Sequence, residues 1–250
     1  MKIKQEILKK RNLKSSNLNF VNPPIKDDKN KIIMFWTPKA ACSFVLNIFF
    51  NHMFDQNFNE YTNVHKIRQD YYQIIKNQIK FNDLVDGKYL KIKIVRNPYH
   101  RIVSSYIFSI FYSKNSQNSS FFDFLMKFIN NKIDDKFIYY HTEPQYNNYD
   151  KYIDKIIKIE EIGIELQEID KQKNTKLYDS YLTMNNILES KGEIKKNNDE
   201  NFCGYKIFQL NDILTNFVPP YVNFYNDEIK LLVEKIFIKD IKKYKYKFPY

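Results

Sequence analysis

Glycine is scarce in this chain, and its scarcity disfavours one large class of phosphate-binding proteins. The 250 residues include 4 glycines, none of them between residues 31 and 86. Nucleoside triphosphate kinases use a glycine-rich loop between a strand and a helix, because glycine lets the backbone approach the phosphates closely. A kinase of that kind is therefore disfavoured, and an ATP-dependent, kinase-like transferase of similar topology stays open as an alternative.

Cysteines and long apolar runs are also rare. Cys42 and Cys203 are too few for a disulfide framework, which favours a reducing compartment. The most apolar stretch, residues 32–54, is interrupted by polar side chains and makes a poor membrane span. The first 20 residues are charged throughout and lack the apolar segment of a signal peptide. We expect a soluble, cytoplasmic protein without a transmembrane segment, and the oligomeric state stays open.

Arginine is the third scarce residue. The 40 basic residues comprise 36 lysines and 4 arginines, and the formal net charge is +11. This charge does not by itself indicate nucleic acid, because such binding needs the charge gathered on one face. A basic nucleic-acid-binding module stays open as a second alternative. Arg96 and Arg101 lie close together in the sequence, and a planar guanidinium can grip a phosphate through two parallel hydrogen bonds.

The chain has enough apolar residues for a sizeable core, with 43% hydrophobic residues including 21 Phe and 20 Tyr. Its pattern predicts strands that alternate with helices. We expect strands at 31–37, 89–95 and 152–159, helices at 41–54, 64–79, 99–112, 121–131 and 226–243, and polar loops at 113–120 and 190–201. This order predicts an α/β fold with a central parallel sheet flanked by helices. We predict a polar N-terminal arm in residues 1–30 and a single domain in residues 31–250.

The first motif that can carry chemistry is TPKAACS, residues 37–43, which follows the first predicted strand. A turn between a strand and a helix directs backbone N–H groups and the positive helix end at one place, and anions bind there readily. Lys39 adds a mobile positive charge, and Ser43 adds a hydroxyl at the start of the helix. The motif therefore predicts an anion site built without glycine.

The second motif is RNPYHRIVS, residues 96–104, which follows the second predicted strand. Arg96 would lie at the carboxyl end of the strand, and Pro98 would open the helix. Ser104 would face the same side two turns later, so that a guanidinium and a hydroxyl converge on one phosphate. Ligands of open parallel sheets bind at the carboxyl ends of the strands, where both motifs fall. Together the motifs predict a ligand that is held by two separate phosphates.

These two motifs resemble those of sulfotransferases that use 3′-phosphoadenosine-5′-phosphosulfate (PAPS). TPKAACS looks like the 5′-phosphosulfate loop of that superfamily, and RNPYHRIVSSY looks like its 3′-phosphate segment. The likeness is closest to carbohydrate sulfotransferases of the Golgi type. Two weaker similarities are HTEPQ, residues 141–145, and the tail at residues 232–240. The resemblance implies the sulfotransferase variant of the P-loop-kinase-like fold over about residues 31–245.

The resemblance also implies roles for individual residues. Lys39 would stabilise the leaving 5′-phosphate, and Arg96 with Ser104 would hold the 3′-phosphate. The acceptor would be a hydroxyl, expected on a glycan, and neither a metal ion nor nucleic acid is expected in the reaction. The predicted nucleotide-binding residues are Thr37, Pro38, Lys39, Ala40, Ala41, Cys42, Ser43, Arg96 and Ser104.

A general base must take the proton of the acceptor hydroxyl, and histidine suits this role near neutral pH. His65 lies between the two motifs, where related glycan sulfotransferases carry their catalytic base, and it is the first candidate. His141 is the second candidate, either as a base or as a residue of the acceptor site. The second motif also has Asn97 where many relatives carry Asp, a change that should preserve the turn.

Overall fold

The central sheet has four strands and includes all three strands expected from the sequence. The computed structural model describes residues 20, 22–55, 63–74, 78–112, 118–190, 201–215 and 218–249. The strands lie side by side in chain order, as β1 (Ile25–Asp27), β2 (Ile32–Phe35), β3 (Leu90–Val95) and β4 (Lys155–Lys158). Strands β2, β3 and β4 are parallel, and β1 is antiparallel to β2. The predicted α/β fold with a central parallel sheet flanked by helices is confirmed, and β1 adds an antiparallel strand at its edge.

Strand β1 lies within the segment that the sequence analysis assigns to a polar arm. Ile25 pairs with Met34 and Asp27 pairs with Ile32, and all three residues of β1 are buried. The Asp27 carboxylate accepts hydrogen bonds from the backbone N–H groups of Lys29 and Asn30 and closes the turn into β2. Because only one of its three residues is apolar, this strand has no hydrophobic pattern to reveal it.

Eleven α-helices lie within the described residues. They are α1 (Cys42–Phe54), α2 (Val64–Gln73), α3 (Phe81–Val85), α4 (Pro98–Tyr112), α5 (Phe121–Ile129), α6 (Lys136–Thr142), α7 (Ile162–Lys173), α8 (Leu177–Ser190), α9 (Leu210–Leu214), α10 (Asp227–Ile236) and α11 (Ile238–Tyr244).

Helices α1, α4 and α5 agree closely with the predicted ranges. The helix predicted at 64–79 ends at Gln73, and the helix predicted at 226–243 is divided between α10 and α11 at Phe237. Residues 113–117 and 191–200, where polar loops are predicted, lie outside the described residues.

The strands divide their side chains between two faces, as the period of two requires. Ile92 and Ile94 of β3 join the core beneath α1, α2, α7 and α8. Lys91 and Lys93 point to the opposite face and are also buried. Lys93 forms an ion pair of 2.5 Å with the buried Asp150, which compensates for taking both charges out of water. The alternation in this strand therefore separates two buried faces.

A second core lies among helices and contains no strand residue. Side chains of α4, α5 and α10 pack around Tyr106, Phe121 and Phe224, all of which are fully buried. This cluster fixes α4, the helix that carries Ser104, against the C-terminal part of the chain. Among the described residues, no helix is long and apolar enough to cross a membrane.

Candidate active site

The loop between β2 and α1 places the first motif at the carboxyl end of the sheet. Lys39 and Ala41 adopt left-handed backbone conformations, with φ of 62° and 54°. Side chains other than glycine rarely adopt this conformation, and each instance costs about 1–2 kcal/mol. Ala41 directly precedes α1, and no side chain caps the helix there. The N–H groups of the first helical turn therefore remain available to an anion, as the sequence predicts.

Two arginines of the second motif hold this strained loop in place. The Nη1 atom of Arg96 donates a hydrogen bond of 3.1 Å to the carbonyl oxygen of Lys39. The Nε atom of Arg101 donates one of 2.9 Å to the carbonyl oxygen of Pro38. Arg101 is 1% exposed, so its bond lies in a low-dielectric interior. The two motifs are thus joined directly, and the second supports the backbone of the first.

A cavity of about 530 Å³ lies between the two motifs and collects most of the predicted site residues. The predicted residues that line it are Lys39, Ala41, Cys42, Ser43, His65, Arg96 and Ser104. Thr37, Pro38 and Ala40 are buried, and among the lining residues His141 does not occur. No described carboxylate lines the cavity.

His65 lies at the start of α2, and its ring faces the start of α1. Its Nε2 atom is 3.1 Å from the Ser43 hydroxyl and 3.9 Å from the Cys42 sulfur. Partial burial lowers the pKa of His65 from its ordinary value, and the charges of Arg68 and His141 lower it further. The neutral imidazole, which can accept a proton, is therefore the main form at neutral pH.

The Lys39 side chain lies over an aromatic ring of α4. Its Nζ atom is 4.3 Å from the centre of the Phe108 ring. Burial lowers the pKa of Lys39 to about 8, and the neighbouring Arg96 and Arg101 charges act in the same direction. The ammonium is still the main form at neutral pH, but it loses its proton at a lower pH than an ordinary lysine does.

His141 packs against the Phe108 ring, with 4.5 Å between the two ring centres. Its Nδ1 atom is 2.7 Å from the carbonyl oxygen of Phe137. A carbonyl oxygen only accepts hydrogen bonds, so Nδ1 carries the proton and Nε2 is left as the acceptor. Burial lowers the pKa of His141 as well, and the Lys39 charge contributes. His65 therefore contacts Ser43 at the start of α1, whereas His141 packs against Phe108 of α4.

The Arg96 backbone is held by a side chain from the weaker HTEPQ similarity. Gln145 accepts a hydrogen bond from the Arg96 N–H and donates one to the Arg96 carbonyl oxygen, at 2.9 and 2.8 Å. Asp240, in the tail, accepts the backbone N–H of Gln145 at 2.8 Å. Both supporting residues are fully buried. The sequence motifs assign neither residue a role, although Gln145 lies in HTEPQ and Asp240 lies in the tail at residues 232–240.

Asn97 caps α4 and does more than preserve the turn. Its side-chain oxygen accepts the Tyr99 N–H at 3.0 Å, and its Nδ2 atom donates to the Lys247 carbonyl oxygen at 3.1 Å. The Asn97 backbone N–H donates to the Glu160 carboxylate. An aspartate could repeat the cap, but it could not donate to Lys247.

Asn47 is a cavity residue that the sequence analysis did not predict. It is 4% exposed and lines the cavity, four residues after Ser43 on α1. Its Oδ1 atom is buried and has no hydrogen-bond partner among the described residues. A buried acceptor of this kind costs free energy unless a ligand satisfies it. The spacing of four residues from Ser43 on one helix was the available signal.

The comparison with known protein families agrees with this geometry. The model of the family described as "Sulfotransferase family" matches residues 24–247, nearly the whole chain. The chain belongs to the sulfotransferase family. No curated protein and no solved structure gives a significant match to this sulfotransferase. The match includes both motifs and strand β1, and it supports sulfuryl transfer as the activity and a hydroxyl as the acceptor.

Proposed function

We propose that this sulfotransferase uses PAPS as its donor and transfers the sulfuryl group to a hydroxyl of a carbohydrate. The cavity that joins the Lys39 loop to Arg96 and Ser104 carries this proposal. An uncapped helix end and a lysine suit the 5′-phosphosulfate, while a guanidinium and a hydroxyl suit the 3′-phosphate. The unpartnered Asn47 oxygen adds an acceptor for a ligand donor in the same cavity. The lining residues therefore fit a nucleotide with two phosphate groups.

The proposed chemistry assigns one task to each charged residue. The donor brings an activated sulfuryl group whose bond to the 5′-phosphate oxygen breaks as the acceptor oxygen bonds to sulfur. Lys39 and the first N–H groups of α1 stabilise the negative charge that develops on the leaving phosphate. Arg96 and Ser104 fix the nucleotide, so that the reacting atoms are aligned.

The proton of the acceptor hydroxyl goes to a histidine. His65 is the first choice, because it lines the cavity and its lowered pKa keeps it neutral. His141 has a free acceptor at Nε2 but stands outside the cavity lining, which favours a role at the acceptor. We propose His65 as the base and His141 as a residue of the acceptor site.

Nucleotide binding tests the donor assignment. Calorimetric titration should show strong preference for 3′-phosphoadenosine-5′-phosphate (PAP) over 5′-AMP and over ATP with magnesium. Titrations at about 50 and about 200 mM salt separate a fixed site from diffuse attraction, because binding through many scattered lysines falls steeply with salt. Preference for ATP with magnesium would favour the kinase-like transferase. A lack of any preference, with a steep fall in salt, would favour the nucleic-acid-binding module.

A further inference from the structure

Four aromatic side chains form a partly exposed surface beside the active site, which we call the aromatic platform. It consists of Phe108 and Tyr112 on α4 and Phe137 and His141 on α6. Each pair is separated by four residues, so its members lie one above the other on a helix face. Ring centres are 4.4 Å apart for Phe108 and Tyr112, 4.3 Å for Phe137 and His141, and 5.2 Å for Tyr112 and Phe137.

The platform leaves large apolar rings in contact with solvent. Tyr112 is 60% exposed and Phe137 is 46% exposed. Exposed aromatic rings that cluster in this way mark a binding surface more often than single exposed side chains do. The cluster also carries two polar groups, the Tyr112 hydroxyl and the Nε2 atom that the Nδ1 bond to Phe137 leaves as an acceptor on His141.

The platform is continuous with the transfer centre. Phe108 contacts His141 on one side, and its ring centre is 4.3 Å from the Lys39 Nζ atom. A molecule lying on Tyr112 and Phe137 would therefore reach toward Lys39, where the leaving phosphate is proposed to lie. Only the acceptor has to approach the sulfuryl group from outside the nucleotide cavity.

We propose that the aromatic platform binds the acceptor by stacking against a sugar ring and directs one of its hydroxyls toward Lys39. This inference rests on the proposed function. The face of an aromatic ring is negative, and the C–H bonds on one face of a sugar are weakly positive, so the two surfaces attract. Hydroxyls at the sugar edge can bond to Tyr112 and His141.

The openness of the platform favours a sugar chain over a small phenol. Sites for small molecules enclose most of the ligand surface. Tyr112 and Phe137 are instead about half exposed and form a surface, so an extended glycan can lie across them with its other residues in solvent.

Three single variants at two positions test the platform, with a matched control elsewhere. Tyr112→Ala and Phe137→Ala each remove one exposed ring, and Tyr112→Phe keeps the ring and removes the hydroxyl. Phe202→Ala is the control, because Phe202 is 43% exposed and lies outside the platform. PAP affinity is measured first for every variant, because intact binding shows both correct folding and an undamaged donor site.

Transfer from radiolabelled PAPS is then measured with heparosan, chondroitin and chitohexaose as sugars, and with 4-nitrophenol and a tyrosine peptide as phenols. A sugar should be the best acceptor. Tyr112→Ala and Phe137→Ala should raise its KM about tenfold with kcat changed less than about twofold. Tyr112→Phe, which loses only the hydroxyl, should raise this KM by less than Tyr112→Ala does, and Phe202→Ala should stay close to the parent protein.

Three results would overturn the inference while PAP binding is intact. They are faster transfer to a phenol than to every sugar, no transfer to any of the sugars, and a sugar KM that neither platform variant changes. Failure of PAP binding in the parent protein would instead contradict the proposed function.

Discussion

The two strand-to-helix turns of this sulfotransferase have similar positions but are built differently. The first turn, at residues 36–41, has a strained backbone and leads into a helix without a side-chain cap. In the second turn, at Arg96 and Asn97, the Asn97 side chain caps the Tyr99 N–H and Gln145 holds the backbone. The first turn can therefore offer backbone N–H groups to a ligand, whereas the second offers the Arg96 side chain. An anion site can thus be built from backbone or from side chains. Mutations in the two kinds of turn should therefore have different effects on stability and on ligand binding.

The largest effect is expected from Arg101, the buried one of the two arginines that connect the turns. Arg101→Leu leaves the carbonyl oxygen of Pro38 without its buried donor, and the carbonyl oxygen of His141 keeps the Ser105 hydroxyl as a donor. It also removes one of the positive charges that act on the buried Asp240, where Lys93 remains. We expect the free energy of unfolding in urea to fall by about 3 kcal/mol and PAP binding to become undetectable. A variant of unchanged stability would show that the first turn does not depend on the second.

The pH dependence of the activity should distinguish the two turns. Lys39 of the first turn titrates, whereas Arg96 of the second keeps its charge in proteins. The lowered pKa of His65 means that the active neutral base is lost only at acidic pH, below the ordinary histidine value. Lys39 must be protonated, so activity should fall above its pKa of about 8. We expect kcat/KM for PAPS to be bell-shaped.

Two variants assign the limbs of this profile. Lys39→Arg should remove the alkaline fall, and His65→Ala should remove the acidic limb with most of the activity. An alkaline limb that persists in Lys39→Arg would contradict the assignment to Lys39.

Asn97→Asp tests the second turn, and its expected effect on stability is smaller. The change keeps a capping oxygen for Tyr99 but places a carboxylate against the Lys247 carbonyl oxygen, beside Glu160. We expect the free energy of unfolding to fall by about 1 kcal/mol, measured in urea. Asn97→Ala, which removes the cap as well, should lose at least as much. A stabilised Asn97→Asp protein would mean that the helix dipole outweighs the lost hydrogen bond.

The smallest effect is expected at the first turn. Ala41→Gly relieves a left-handed conformation and should stabilise the protein by up to about 1 kcal/mol. Ala40→Gly is the matched control, because no positive φ occurs there, and it should destabilise. Thermal unfolding of both variants measures the difference. A lower melting temperature for Ala41→Gly would show that the turn is not strained.

The sequence predicted the parts of the site that depend on local pattern. Adjacent parallel strands bring their carboxyl ends together, so the sequence alone predicts that TPKAACS and RNPYHRIVS lie at one site. The residues that hold the Arg96 backbone could not be predicted in the same way. Gln145 and Asp240 lie 49 and 144 residues from Arg96 along the chain, and only the fold brings them together. The Asn47 oxygen could not be predicted either, because its importance depends on its burial in the folded protein.

The most direct test of the account is whether the two turns hold different phosphates of one ligand. Calorimetry should compare PAP and 5′-AMP on the parent protein, Arg96→Ala and Lys39→Met. We expect the parent to prefer PAP by about a hundredfold. Arg96→Ala should lose this preference, and it should weaken 5′-AMP less than PAP, through the lost bond to the Lys39 carbonyl oxygen. Lys39→Met should weaken both ligands and keep the preference. If both variants weaken both ligands by the same factor, the two turns do not act on separate phosphates.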